Sequence, residues 1–280
     1  MGFWGEWMRS SVGVLGLSAL LVAGCAAAGG TESGGDSAAA AAVARAAEKA
    51  EQPVSLRYRM SGRTPEEGRI KAEAAIGTKP PAMSLKSTVL GGPDQGTGEF
   101  RLVGGALYVG SDEAGEDGKH WVKFGAPGSS DTPSGIKVDT GTMVDRVRDN
   151  PSHESGFLTA ADDLKKAGTE TVEGVRTTHY TGTATVDDIR AAYKKDANSV
   201  RQRTEKSPAQ YEKLGVDELT MDLWVDAEDR TRQLRMQGFG RHGELDLTIT
   251  FLDFGKPVTV KAPPASDTVD MAKELKKARG

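Results

Sequence analysis

Three stretches in the last third of the chain alternate apolar and polar residues without a slip. Leu219, Met221, Leu223 and Val225 interleave with Thr220, Asp222, Trp224 and Asp226. Leu234 and Met236 interleave with Arg235 and Gln237. After Arg241-His242-Gly243, Leu245, Leu247, Ile249 and Phe251 interleave with Glu244, Asp246, Thr248 and Thr250. Side chains along a strand point alternately to opposite faces, so each stretch predicts a strand with one apolar and one polar side. Antiparallel strands of this kind tolerate water on one side and twist, which predicts a curved sheet whose concave side is apolar. The rest of the chain has to cover that side. Trp224 falls on the polar side in this register, and the expected account is an edge packed under the first helix.

The first half repeats the signal more weakly. Leu56, Tyr58 and Met60 alternate with Ser55, Arg57, Arg59 and Ser61, and short runs follow at Ile70 to Ile76, Met83 to Leu90, Glu99 to Val103, Leu107 to Val109 and Trp121 to Phe124. Gly-Arg-Thr-Pro, Lys-Pro-Pro, Gly-Gly-Pro-Asp, Gly-Gly and Glu-Asp-Gly-Lys separate them, all turn chemistry, so this region predicts a meander of hairpins. A strand is also expected at Lys256-Pro257-Val258.

Helical periods come from elsewhere. Ala38 to Glu51 is Ala-rich with a weakly apolar face of Val43, Ala46, Ala47 and Ala50, and is expected to lie on the first strand. Met143, Val144 and Val147 repeat at helical spacing before Asn150-Pro151, and Phe157, Leu158, Ala161 and Leu164 form a second stripe. Strands near Glu170 to Val172 and Thr177 to Val186 precede a third stripe, Ile189, Ala192, Tyr193 and Val200, within Asp187 to Gln202. A short helix is expected from Thr268, with Val269, Ala272 and Leu275 in phase. The expected class is α+β: an antiparallel curved sheet, a half-barrel, with helices on its concave side.

The net charge of −4 carries no cluster of positive charge of the kind that marks nucleic-acid binders, so no nucleic-acid partner is expected. His120, His153, His179 and His242 are scattered, no H-E-x-x-H pair or cysteine-histidine set exists, and neither a G-x-S-x-G elbow nor a phosphate loop is present. No enzyme activity, metal or cofactor is therefore expected. Asp162-Asp163 and Asp187-Asp188 sit where helix starts favour acids, which makes capping the simpler reading of both pairs. Lys194-Lys195 and Lys276-Lys277 read as solvated helix faces.

The only cysteine, Cys25, closes the apolar run that ends Leu21-Val22-Ala23-Gly24. Arg9 precedes the run, which has the length of a secretory h-region and is too short and glycine-rich for a membrane span. This spacing resembles the bacterial lipobox, in which the cysteine sulfur takes a diacylglycerol group. Residues 1–24 are expected to be a signal peptide, with Met8 the better start given Trp4, Glu6 and Trp7, and Cys25 the lipidated first residue at the outer face of the cell membrane. Residues 25–37, rich in Gly, Ser and Ala, predict a flexible leash reaching roughly 20 Å, ahead of a single domain over 38–280.

Met221-Asp222-Leu223-Trp224-Val225-Asp226, a turn, a polar return strand, and Thr250-Phe251-Leu252-Asp253-Phe254-Gly255-Lys256-Pro257-Val258 together resemble the C-terminal half of the actinobacterial lipid-carrier lipoproteins of the LppX and LprG group. These share an architecture with LolA, LolB and RseB. The resemblance implies a half-barrel with acyl chains held between sheet and helices. Candidate lining residues are then Leu56, Tyr58 and Met60; Met143, Val147 and Leu158; and the apolar positions Met221, Leu223, Val225, Leu234, Met236, Leu245, Leu247, Ile249 and Phe251. The alternation alone fits a dry core equally well. The expected function is non-covalent binding of a lipid or other amphiphile, with movement of a helical segment around residues 138–166 admitting it; the alternative is an RseB-like sensor that binds an envelope protein partner.

Overall fold

The computed structural model describes residues 36–52, 55–93, 95–115, 117–124, 150–193 and 206–279. Among the described residues twelve strands form one sheet: β1 (Leu56–Thr64), β2 (Gly68–Thr78), β3 (Pro81–Leu90), β4 (Gly96–Val103), β5 (Ala106–Ser111), β6 (Trp121–Phe124), β7 (Lys165–Val172), β8 (Val175–Thr185), β9 (Glu218–Val225), β10 (Thr231–Gly240), β11 (Gly243–Phe254) and β12 (Thr268–Asp270). Their spatial order is β12-β6-β5-β4-β3-β2-β1-β11-β10-β9-β8-β7. Every pair is antiparallel except β12 on β6. The sheet is curved and does not close on itself, and helices cover part of its inner side, as the α+β half-barrel class requires.

Each strand follows its alternation. Leu234 pairs with Leu223 and Ile249, and Met236 with Met221 and Leu247, so the apolar positions of β9, β10 and β11 line up on one face. The pattern passes to β1, where Tyr58 meets Phe251 and Met60 meets Ile249; a bulge at Arg57/Tyr58 brings both Phe251 and Phe254 inward.

Four α-helices are described: α1 (Ser37–Ala50), α2 (Val186–Tyr193), α3 (Lys206–Leu214) and α4 (Met271–Arg279). Asp36 caps α1, its carboxylate accepting from the N–H groups of Ala38 at 3.0 Å and Ala39 at 3.3 Å, which satisfies donors that a helix start leaves open. Thr185 and Asp188 form a reciprocal cap at the start of α2: the Asp188 N–H donates to Thr185 Oγ1 at 3.1 Å and the Thr185 N–H to the Asp188 carboxylate at 3.3 Å.

Several expectations need correction. The apolar stripe Phe157, Leu158, Ala161 and Leu164 is not an α-helix: Pro151–Ala160 is a 3-10 helix, and the chain then bends into β7. That 3-10 segment carries buried Ser152, Ser155, Phe157 and Leu158, so the described part of the presumed moving segment is core. Its compactness depends on Gly156, where a Cβ would sit 2.1 Å from Tyr193 Oη and 3.5 Å from Ala47. Helix α1 packs chiefly on this 3-10 segment and on β7, not on the first strand. Asp162-Asp163 caps no helix; Asp163 accepts from the Thr183 N–H at 2.6 Å. Lys256-Pro257-Val258 forms no strand, because residues 255–264 cross the outer face, with Val258 against Gly77 and the Lys261 carbonyl accepting from Arg101 at 3.1 Å. The terminal helix starts at Met271, after Thr268 to Asp270 have paired with β6.

Candidate functional site

The inner face changes character along the sheet. Over β8 to β10 it is covered by the 3-10 segment, with α1 and α2 packed on that segment and α3 on α2. Met221, Leu223 and Leu234 retain 0 % exposure, Met236 and Leu245 1 %, and Phe251 0 %. Leu158 from the 3-10 segment and Leu56 at the start of β1 join the same core; Val225 and Ile249 are also buried.

Beyond β1 the cover thins. Strand β2 presents Ile70, Ala72, Ala74 and Ile76 inward, two of them alanines lying beside Met60 and Tyr58. From there the register carries the inner face through Met83 and Leu85 on β3, Phe100 on β4, Val109 on β5, and Val122 and Phe124 on β6. These six are half-buried, whereas Val89, Leu102 and Leu107 on the same face are buried. Among the described residues, none of the large side chains under 2 % exposed lies on β2 to β6, and no described helix has its principal contacts with β2, β3, β4 or β5. Tyr58, Met60 and Leu247, at the seam between the two regions, are likewise half-buried.

The candidate residues therefore divide. Leu56, Leu158, Met221, Leu223, Val225, Leu234, Met236, Leu245, Ile249 and Phe251 lie in the covered region; Tyr58, Met60 and Leu247 lie at the seam; Met143, Val147 and Cys25, the residue expected to be lipidated, lie outside the described residues. Sequence reasoning did not single out Met83, Leu85, Phe100, Val109, Val122 or Phe124 as lining. The signal was there in their alternation, but the runs are short and broken by glycines.

A polar group is set beside the seam. Tyr211 of α3 donates its hydroxyl to Glu154 Oε2 at 3.3 Å, and the same hydroxyl lies 3.2 Å from the Met236 sulfur. Desolvation raises the Glu154 carboxyl, outweighing the hydrogen bonds from Ser207 and Tyr211 and the charge of His153. Burial, aided by the Glu154 charge, pushes the Tyr58 phenol up to about 12 and the Tyr211 phenol well above its ordinary value.

On the outer face, His179 stacks on Trp224 with ring centroids 4.3 Å apart. Its Nδ1 lies 2.9 Å from Glu170 Oε1 and its Nε2 2.7 Å from Asp222 Oδ1, while the Trp224 indole donates to Glu170 Oε2 at 3.1 Å. Trp224 is thus buried by neighbouring strands rather than by the first helix. Of the other histidines, His120 pairs with Asp267 and His153 with Glu51. Among the described residues no three His, Cys, Asp or Glu side chains converge as metal ligands.

Comparison with known proteins places this architecture. The family model of the LppX_LprAFG lipoproteins matches residues 36–260, the whole sheet short of β12. The chain belongs to the LppX_LprAFG lipoprotein family. It is 34 % identical over 161 residues to an uncharacterized 31.2 kDa protein in the rplA-rplJ intergenic region of Streptomyces griseus, covering 57 % of this chain and 50 % of that protein. A Streptomyces coelicolor relative is 28 % identical over 164 residues, 58 % of this chain and 46 % of its own. The chain spans about half the length of these curated relatives. Among solved structures it is similar to the lipoprotein LppX of Mycobacterium tuberculosis, with TM-score 0.47, 16 % identity, and coverage of 81 % of this chain and 100 % of that one. It is also similar to LprF of Mycobacterium bovis, with TM-score 0.48, 15 % identity, and coverage of 82 % and 98 %.

Proposed function

We propose that this LppX_LprAFG lipoprotein is anchored through Cys25 to the outer face of the cell membrane and holds the acyl chains of a lipid or similar amphiphile against the inner face of β3 to β6. The observation that supports this reading is the change in burial along one continuous apolar face, from nearly complete over β8 to β11 to mixed over β3 to β6, where Val89, Leu102 and Leu107 are buried but Met83, Leu85, Phe100, Val109, Val122 and Phe124 are half-buried. Four strands side by side present a surface about 15 Å across, and each methylene an acyl chain buries there contributes about 0.8 kcal/mol. Ala72 and Ala74 on β2 leave the seam shallow, and Tyr58, Tyr211 and Glu154 offer hydrogen-bonding groups beside it.

Mass spectrometry of organic extracts from protein purified out of a membrane-containing host tests the reading. A lipid in stoichiometric amount is expected, and Leu85→Ala and Phe100→Ala together are expected to reduce it. Purified protein that carries no lipid but retains an envelope protein would replace the carrier with a sensor.

A further inference from the structure

Among the described residues two large apolar side chains are left exposed, Phe239 at 81 % and Leu90 at 37 %, and the strand register sets both at the same end of the sheet. Leu90 pairs with Arg69, Arg69 with Arg63, Arg63 with Asp246, Asp246 with Gln237, Gln237 with Thr220 and Thr220 with Thr183. This row crosses from β3 to β8. Phe239 projects two residues beyond it, at the tip of the β10–β11 hairpin.

The first described residue also lies at that end. The Thr183 N–H is bound to Asp163, and the carbonyl of the adjoining Leu164 accepts from the Asp36 N–H at 3.2 Å. Asp36, the first described residue, is only eleven positions from Cys25. Eleven residues span at most roughly 40 Å even when fully extended. The end of the sheet that carries Phe239 is thus the one held near the anchor, and the opposite turns, such as Ala227 to Asp229, are held away.

The tip is also stiff. The Arg241 N–H donates to the Leu214 carbonyl at 3.1 Å, and a Cβ on Gly240 would meet that carbonyl at 2.4 Å and Pro65 at 3.1 Å, so the hairpin is braced by the end of α3 and by the β1–β2 turn. Arg63, Arg69 and Arg241 are exposed around it and make no ion pair among the described residues, alongside exposed Glu66 and Glu244. An aromatic ring held out on a rigid support, with guanidinium groups behind it, matches the chemistry of the bilayer interface, where rings settle at headgroup level and arginines meet anionic lipid.

We infer that the β10–β11 tip is a membrane-docking surface: Phe239 enters the headgroup region of the anchoring bilayer and, with Leu90 and the three arginines, fixes the domain upright instead of leaving it to tumble. The inference rests on the anchor at Cys25 and adds an orientation to it.

The test couples the chain through the thiol of Cys25, its only cysteine, to maleimide lipid in phosphatidylcholine/phosphatidylglycerol vesicles doped with brominated lipid. Phe239→Trp and Ala227→Trp are compared with the parent chain. The emission added by F239W is expected to shift to the blue and to be quenched by shallow bromines, while that added by A227W stays at the wavelength of water-exposed indole. Equal, unquenched emission from both positions would overturn the inference, as would deep quenching at residue 227. Because the anchor is supplied chemically, acylation in cells is decided separately by mass spectrometry of Cys25, and failure there sinks the anchor while leaving the docking result readable. Circular dichroism of both variants guards against misfolding, and Phe239→Ser is expected to abolish vesicle protection of the tip from hydrogen exchange.

Discussion

On β8 to β11 the inward apolar side chains are buried, Leu247 and Phe254 excepted, whereas on β3 to β6, in the same alternation, only Val89, Leu102 and Leu107 are buried and Met83, Leu85, Phe100, Val109, Val122 and Phe124 stop at half-buried. The two regions share sheet, period and polarity and differ, among the described residues, in which elements lie over them. Burial of an apolar face is thus decided by the covering element and not by the strand. A fold that covers one half of a sheet and thins over the other concentrates stability in the first half; under the proposed function, the second half is where binding falls.

The largest expected effect contrasts the halves directly. Leu223→Ala should cost about 2–5 kcal/mol in urea unfolding, as fully buried leucines do, while Leu85→Ala should cost less than about 1.5 kcal/mol and act mainly on lipid recovery. Equal costs would break the comparison. At the boundary, Gly62 adopts φ +151, and a Cβ there would sit 1.9 Å from the Asp246 carbonyl oxygen. Gly62→Ala should destabilise by about 3 kcal/mol, at the high end for single changes, measured as a shift in melting temperature, because the obstacle is backbone and cannot swing away.

The buried carboxyl gives a pH-dependent contrast. Glu154 is raised above its ordinary 4.5 by desolvation, so the native state holds its proton more tightly than the unfolded chain does. Stability from this group is full below that ordinary value and declines as pH rises through the raised one. Glu154→Gln should flatten the decline and raise stability at neutral pH in urea titrations at several pH values; an unchanged slope would show that the carboxyl is not desolvated. The smallest effect concerns the cover. Thr185→Ala removes the cap of α2 and should cost about 1 kcal/mol, with local hydrogen exchange rising in α2 and unchanged on β3 to β6.

How much of this was legible depended on length of pattern. The strands β9 and β11 could be read because eight residues alternate in each, β1 because seven do, and β10 because its four alternating residues sit between two such stretches. The hairpin meander was legible from its turns. The stripe Phe157, Leu158, Ala161 and Leu164 was rightly read as buried and wrongly as an α-helix, since a bend between Ala160 and Lys165 brings apolar residues together as well as a helical period does. Helix α3 went unread because Tyr211 and Leu214 are its only strong apolar anchors; Pro208 in its first turn and their i, i+3 spacing were the available signal. Trp224 was correctly assigned to the outer face, but its cover, a histidine ring from β8, is a cross-strand relation that spacing within one strand does not contain. The family was legible in Met221 to Val258; the division of the inner face into two regimes was not, because it depends on which element folds over which.

The three-residue parallel ladder of β12 on β6 joins positions 147 apart, as in the Lys123–Asp270 pair. Synthesis reaches β12 only after the other eleven strands of the sheet, so the outer edge of β6 stays an unpaired row of backbone donors and acceptors until then, a template for wrong pairing that this short ladder removes.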